Sequence, residues 1–173
     1  MIEVQIADIT TLDVDAIVNA ANPTLRGGGG VDGAIHRAAG PELATAAGAL
    51  GPCAPGDAVI TPGFQLTAKF VIHTVGPIWY GGGHAEAETL RHAYERCFAL
   101  AEAESSIRTI AFPAISTGVY GFPKELAAPI AVEVMRAHEA WFDRIVACVF
   151  NQENAEMYRQ AIRYPHGGKG SGR

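Results

Sequence analysis

Cysteine is scarce: the 173 residues carry three, Cys53, Cys97 and Cys148, far apart and odd in number. That spacing excludes a disulfide framework and a cysteine-based zinc site. The three read as small buried apolar residues of a reducing compartment. No His, Cys, Asp and Glu set has metal-ligand spacing, so no metal is expected. No apolar run approaches the ~20 residues of a membrane span. The opening "MIEVQIADIT" lacks the basic start and apolar stretch of an export signal. A cytoplasmic protein without membrane association is expected. Basic charge is also short: 13 Lys and Arg stand against 18 Asp and Glu, for a net charge of −5. A duplex nucleic-acid binder would carry a basic stripe. A nucleotide ligand is not excluded, because backbone amides hold a diphosphate without many cations. Neither the G-K-[ST] of a P-loop nor the G-x-S-x-G of a hydrolase elbow occurs. Residues 28–33, "GGGVDG", formally match G-x-G-x-x-G, yet no acid stands near position 53 to take a ribose hydroxyl. A nicotinamide-dependent oxidoreductase is therefore disfavoured.

What is present is a 49% hydrophobic, 18% charged chain, long enough for one domain with a real core. Residues 2–6 alternate apolar and polar, as a half-buried strand does. Residues 16–20, 57–62, 69–77, 108–114 and 144–150 are short apolar or β-branched runs between Gly and Pro, so about six strands are expected. Helical patterns lie among them. "GAIHRAAG" closes at Gly40, and Pro41 opens the next helix. Residues 85–104 put Leu90, Tyr94, Cys97, Phe98 and Ala101 on one face. Residues 123–140 are expected to bury Leu126, Ile130, Val134 and Met135, and residues 152–163 to bury Met157, Tyr158 and Ile162. Strands mixed with helices predict a three-layer α/β/α domain. A short turn between 57–62 and 69–77 implies a hairpin, hence a mixed, mostly parallel sheet. The domain is expected to span 1–165, with a disordered Gly-rich tail at 166–173.

Two glycine-rich loops each leave a strand and enter a helix: residues 19–33 and "STGVYGFP" at 116–123. In an open α/β sheet, ligands bind at the carboxyl ends of strands. Glycines let amides approach phosphate oxygens, and a helix N-terminus adds partial positive charge. Several residues admit two roles. Asp32 is either the N-cap of the following helix or a base beside the loop. Asn19 and Asn22 either stabilise turns or hydrogen-bond a sugar hydroxyl. Asp8 caps the turn "DITTL" or accepts from an exocyclic amine. Tyr120, between glycines, suits ligand stacking better than core. Phe150 ends a strand and is either core or a cover for a base. His36 and His73 lie on apolar elements and read as structural histidines. Ser116 and Thr117 suit phosphate hydrogen bonding better than nucleophilic attack.

"ADIT" at 7–10, "AIVNAANP" at 16–23, "GGGGVDGAIHRAAG" at 27–40, "HTVGP" at 73–77 and "FPAISTGVYGFP" at 112–123 together resemble a known pattern. In order and spacing the chain, over about residues 2–163, resembles the macrodomain family of MacroD type, ADP-ribosyl hydrolases and O-acetyl-ADP-ribose deacetylases. The resemblance implies a mixed six-stranded sheet between helices with ADP-ribose in a cleft above it. It assigns Asp8 to the adenine amine, Ile9 to the purine, and Phe150 to a position near adenine. Gly28, Gly29 and Gly30, with Val31 beside them, would wrap the diphosphate with Ser116, Thr117, Gly118, Val119 and Tyr120. Asn22 would contact the distal ribose, Tyr120 would lie against it, and Asp32 is the residue associated with catalysis. Implied substrates are O-acetyl-ADP-ribose and proteins mono-ADP-ribosylated on Asp or Glu. ADP-ribosylated nucleic-acid ends share the same group, but the acidic chain offers them no long-range attraction. No cofactor is implied, and a monomer is expected. A reader that binds ADP-ribose without turnover would use the same cleft; the Asn22 and Asp32 pair favours the enzyme. One departure is Ala7, where the family usually has glycine: alanine is strained there if the position needs φ > 0.

Overall fold

The computed structural model describes residues 1–165, so the tail at 166–173 lies outside the described residues. Six strands form one sheet: β1 (Ile2–Ile6), β2 (Ala16–Ala20), β3 (Ala58–Pro62), β4 (Phe70–Thr74), β5 (Thr109–Phe112) and β6 (Arg144–Val149). Their order is β1-β6-β5-β2-β4-β3. All neighbours pair in parallel except β3 and β4, which form the expected hairpin. Five helices flank the sheet: α1 (Gly30–Ala39), α2 (Glu42–Ala49), α3 (Glu86–Ala103), α4 (Lys124–His138) and α5 (Gln152–Arg163). None of the described helices is long and apolar enough to cross a membrane.

The strands read as apolar runs because both faces are covered. Successive side chains point to opposite faces. Thus Ala16, Val18, Ile110, Phe112, Ile145 and Ala147 pack with α3, α4 and α5. Ile17, Val71, Ala111, Val146 and Cys148 pack on the other face with Ile35 and Ala39 of α1 and Leu43 of α2. All three cysteines are buried and free.

The inward face of α4 departs from expectation. Leu126 is 49% exposed and Ile130 is half-buried. Val134 and Met135 are buried as expected, and Ala127, Ala128, Ala131 and Val132 are buried in place of the other two. The small alanine side chains let the helix approach its neighbours closely, and Leu126 and Ile130 beside them are left outside or only half-buried. Phe150 is not core either: pairing in β6 ends at Val149, and the ring beyond it is 71% exposed.

The α3–α4 face is anchored by Phe98, which is fully buried against the rings of Phe112, Phe142 and His138. Replacing Phe98 with Ala should cost about 3–5 kcal/mol, read as a lower urea midpoint with an unchanged slope.

Candidate functional site

Both glycine loops emerge at the carboxyl ends of central, adjacent strands, β2 and β5. After β2 the chain turns at Asn22. Its Oδ1 accepts from the amide and hydroxyl of Thr24 (3.1 and 2.7 Å), and its Nδ2 donates to the Gly27 carbonyl (2.9 Å). The turn reading of Asn22 therefore holds. Gly27 and Gly30 have φ of +98° and +57°, where a side chain would be strained. Gly28, Gly29 and Gly30 are exposed.

Helix α1 starts three residues earlier than the N-cap reading of Asp32 requires. Its N-cap is Gly29, which supplies no side-chain hydrogen bond. The first-turn amides thus have no intrahelical or capping acceptor and stay available. Asp32 is the third helical residue and is 5% exposed. A Cβ on Gly33 would lie 2.5 Å from the Gly28 carbonyl oxygen, so Gly33 is what lets loop and helix close together.

Asp32 is held from the sheet. Its Oδ1 accepts from Asn19 Nδ2 at 2.8 Å. His36 Nε2, one turn on, lies 3.3 Å from the same oxygen, without the alignment of a hydrogen bond. The other oxygen, Oδ2, faces Gly28. A Cβ on Gly28 would meet Asp32 Oδ2 at 3.0 Å and Asn22 Nδ2 at 3.2 Å. Asn22 and Asp32 thus converge on one small space that only a bare backbone leaves open.

Asn19 is neither a turn residue nor exposed to a ligand. It sits in β2, fully buried, in register with His73 of β4. Its Nδ2 also approaches His73 Nδ1 (3.2 Å), and His73 Nε2 lies 3.0 Å from Thr61 Oγ1. Burial pushes His73 down from 6.5 to about 3, and the nearby His36 ring adds to the shift. The ring is therefore neutral: Nδ1 accepts from Asn19, Nε2–H donates to Thr61, and Thr61 donates to the Pro62 carbonyl (3.1 Å). His73 is the structural histidine expected; His36 instead faces the carboxylate.

The second loop is shaped as tightly. Ser116 has φ +66° and Gly121 +72°. A Cβ on Gly76, in "HTVGP", would come within 2.0 Å of Ser116 Oγ, so Gly76 makes room for the loop. Phe122 N donates to Ser116 O (2.9 Å), Gly121 N to Gly118 O (3.0 Å), and Trp79 N to Tyr120 O (2.8 Å). No amide of residues 116–120 donates to a backbone carbonyl among the described residues. Ser116 Oγ is buried without a partner. Thr117 Oγ1 turns inward to donate to Ala114 O (3.0 Å), so its hydroxyl is not aimed at a phosphate. Val119 is fully exposed and Tyr120 half-buried.

A cleft of about 590 Å³ opens beside these loops, lined in part by Asp8, Ile9, Gly30, Val31, Pro113 and Phe150. Asp8 caps the turn Ile9–Thr11, as one reading expected: its Oδ1 accepts from Thr10 N (3.0 Å) and Thr10 Oγ1 (2.8 Å). Ala7 is not among the residues with positive φ, so it replaces glycine without strain. Gly30 and Val31 join this cleft to the α1 end, and Pro113 joins it to the second loop. Asn22, Asp32 and residues 116–120 lie outside its lining. Among the described residues no group of three or more His, Cys, Asp and Glu is placed to hold a metal ion.

The Macro domain family model matches residues 18–131. The chain belongs to the macro domain family. A macro domain-containing protein of Ralstonia nicotianae is 60% identical, with 90% of this chain and 91% of that protein covered. An O-acetyl-ADP-ribose deacetylase of Klebsiella pneumoniae is 54% identical over 94% of this chain and 97% of its own. The Trypanosoma brucei macrodomain in complex with ADP-ribose superposes with a TM-score of 0.85 at 37% identity, covering 93% of this chain and 68% of that one. The fold is the macrodomain fold, a mixed six-stranded sheet with five helices.

Sequence reasoning pointed to Asn19 but not to its bond with Asp32, and it missed the roles of Thr61, Gly33 and Gly76 and the partnership of His36 with Asp32. The four-residue spacing of Asp32 and His36 was the available signal. The His73 shift has a measurable sign. Below pH 6.5 the unfolded chain takes up a proton that the folded ring refuses until about pH 3. Stability should fall across that window by up to about 1.4 kcal/mol per pH unit, and the His73→Gln variant should show a flatter dependence of its urea midpoint.

Proposed function

We propose that this macrodomain binds ADP-ribose along the cleft and hydrolyses esters of it, taking O-acetyl-ADP-ribose and proteins mono-ADP-ribosylated on Asp or Glu. The observation that carries the reading is the convergence of Asn22 Nδ2 and Asp32 Oδ2 over Gly28, at the rim of an uncapped helix start. The relative named as an O-acetyl-ADP-ribose deacetylase and the macrodomain solved with ADP-ribose support it.

In this reading the adenine lies in the 590 Å³ cleft between Ile9 and Phe150. Asp8 Oδ1 is occupied by Thr10, and Oδ2 accepts from the exocyclic amine. The diphosphate runs between the amides of Gly28, Gly29, Gly30 and Val31 and those of Ser116 to Tyr120. Their unused N–H groups and the α1 dipole stabilise its charge without cations, which suits a chain of net charge −5. Thr117 and Val119 contribute backbone rather than side chain. Asn22 and Tyr120 fix the distal ribose.

Asp32 then acts on water. With Oδ1 tied to Asn19, Oδ2 orients or deprotonates a water molecule over Gly28. For an acyl ester, the water oxygen bonds to the carbonyl carbon, the ribose oxygen leaves with the transferred proton, and ADP-ribose and the free acid result. For a bond at the distal anomeric carbon, the same water adds there and the acceptor carboxylate leaves. Both have good leaving groups, so positioning supplies most of what is needed. The protein is proposed to act as a cytoplasmic monomer on ADP-ribose groups.

Asp32→Ala and Asn22→Ala should each lower turnover of O-acetyl-ADP-ribose by about 10²–10⁴ while ADP-ribose still binds. Release of labelled ADP-ribose from a glutamate-modified protein, run in parallel, ranks the two substrates. Turnover by Asp32→Ala equal to wild type would remove the catalytic assignment. Binding without turnover by the wild-type protein would make it a reader.

A further inference from the structure

The segment from Ile78 to His84 is held by one carboxylate. Glu86, the first residue of α3, is 2% exposed. Its Oε2 accepts from the amides of Tyr80 (3.0 Å) and Gly82 (2.8 Å), and its Oε1 from the amide of His84. Gly81 and Gly82 carry φ of +98° and +94°, so the backbone curls around the carboxylate in a form only glycine takes easily. Burial by itself raises a carboxyl, but here the donated amides outweigh it and hold Glu86 down at about 2. The carboxylate thus stays ionised and the strap stays closed.

The strap connects to the second glycine loop through a backbone hydrogen bond. Trp79, immediately before Tyr80, donates its amide to the Tyr120 carbonyl at 2.8 Å. Its ring packs on Phe122 with centroids 4.7 Å apart, and a Cβ on Gly82 would touch that ring at 3.0 Å. Three amides gathered by Glu86 therefore set where Trp79 sits, and Trp79 sets where Tyr120 sits.

We propose that Glu86 is a positioning residue for the 116–121 loop: through Tyr80, Gly82 and Trp79 it holds the loop open with its amides turned to the diphosphate. The inference rests on the ADP-ribose reading of that loop. Glutamine at 86 leaves a single carbonyl acceptor and turns an NH₂ toward amide donors, so the strap opens without a change of side-chain size.

The test compares Glu86→Gln with wild type in binding two ligands, ADP-ribose by calorimetry and adenosine by NMR titration. Adenosine has no phosphate and reaches only the Asp8, Ile9 and Phe150 end. The expected result is about tenfold weaker ADP-ribose binding, adenosine binding unchanged, and a red shift of Trp79 emission in a Trp141→Phe background. If Glu86→Gln does not fold, Glu86→Asp, which keeps the charge but falls one methylene short, supplies the same comparison. Unchanged ADP-ribose binding overturns the inference. Equal loss of both ligands also overturns it, since that marks a general loss of structure. A wild-type protein that binds neither ligand overturns the ADP-ribose reading; Trp79 emission, read without ligand, then tells whether the strap itself was correctly assigned.

Discussion

One buried hydrogen bond, Asn19 Nδ2 to Asp32 Oδ1 at 2.8 Å, ties the start of α1 to the end of β2. It makes the two oxygens of Asp32 different. One is spoken for by the sheet, and the other faces Asn22 across the bare backbone of Gly28. The bond in turn constrains what lies behind it. Asn19 has a second proton to place, so His73 must accept at Nδ1, so His73 must be neutral, and Thr61 must take the proton on the far side. Breaking that chain would leave a buried donor or acceptor unmatched, at about 1–3 kcal/mol for each. The parallel register that pairs Asn19 with His73 is therefore part of the site.

The loops follow a second constraint, that amides be left free on purpose. Unpaired backbone donors cost stability if buried, and here Gly28 to Gly30, Gly118 and Val119 are exposed. At α1 the cap is a glycine with no side chain to satisfy them. At 116–120 the hydrogen bonds run around the loop and to Trp79 rather than to its own amides. Gly33 and Gly76 permit these shapes by what they lack, since a Cβ at either would strike the neighbouring loop. An acidic protein thereby acquires two local patches of partial positive charge without a single added lysine.

The fold was legible because sequence pattern and environment agree. Strands covered on both faces are apolar throughout, and β2, β4, β5 and β6 stand out against Gly and Pro. The hairpin was legible from the short turn at 63–69. The α4 face was legible only in its second half: Val134 and Met135 are buried as expected, whereas Leu126 and Ile130 give way to alanines that allow close packing. At the site, the glycine loops and Asp32 were visible. The N-cap reading of Asp32 went wrong by three residues: an acid before an apolar run looks like a cap, whereas Gly29 caps and Asp32 turns inward. Asn19, His73 and Thr61 meet only through strand register, and Glu86 meets the second loop only through a strap of backbone. Neither connection has a spacing that a single chain reveals.

The central claim is that two sets of free backbone amides hold one diphosphate, with Asp32 beyond its end. Titrating isotopically labelled protein with ADP-ribose and following backbone amide resonances tests it most directly. The account predicts the largest shifts at Gly28 to Asp32 and at Ser116 to Tyr120, with smaller ones at Asp8, Ile9 and Phe150. Shifts confined to another surface, such as the groove of Gly56, Thr89 and His92, or no shifts at either loop, would contradict it.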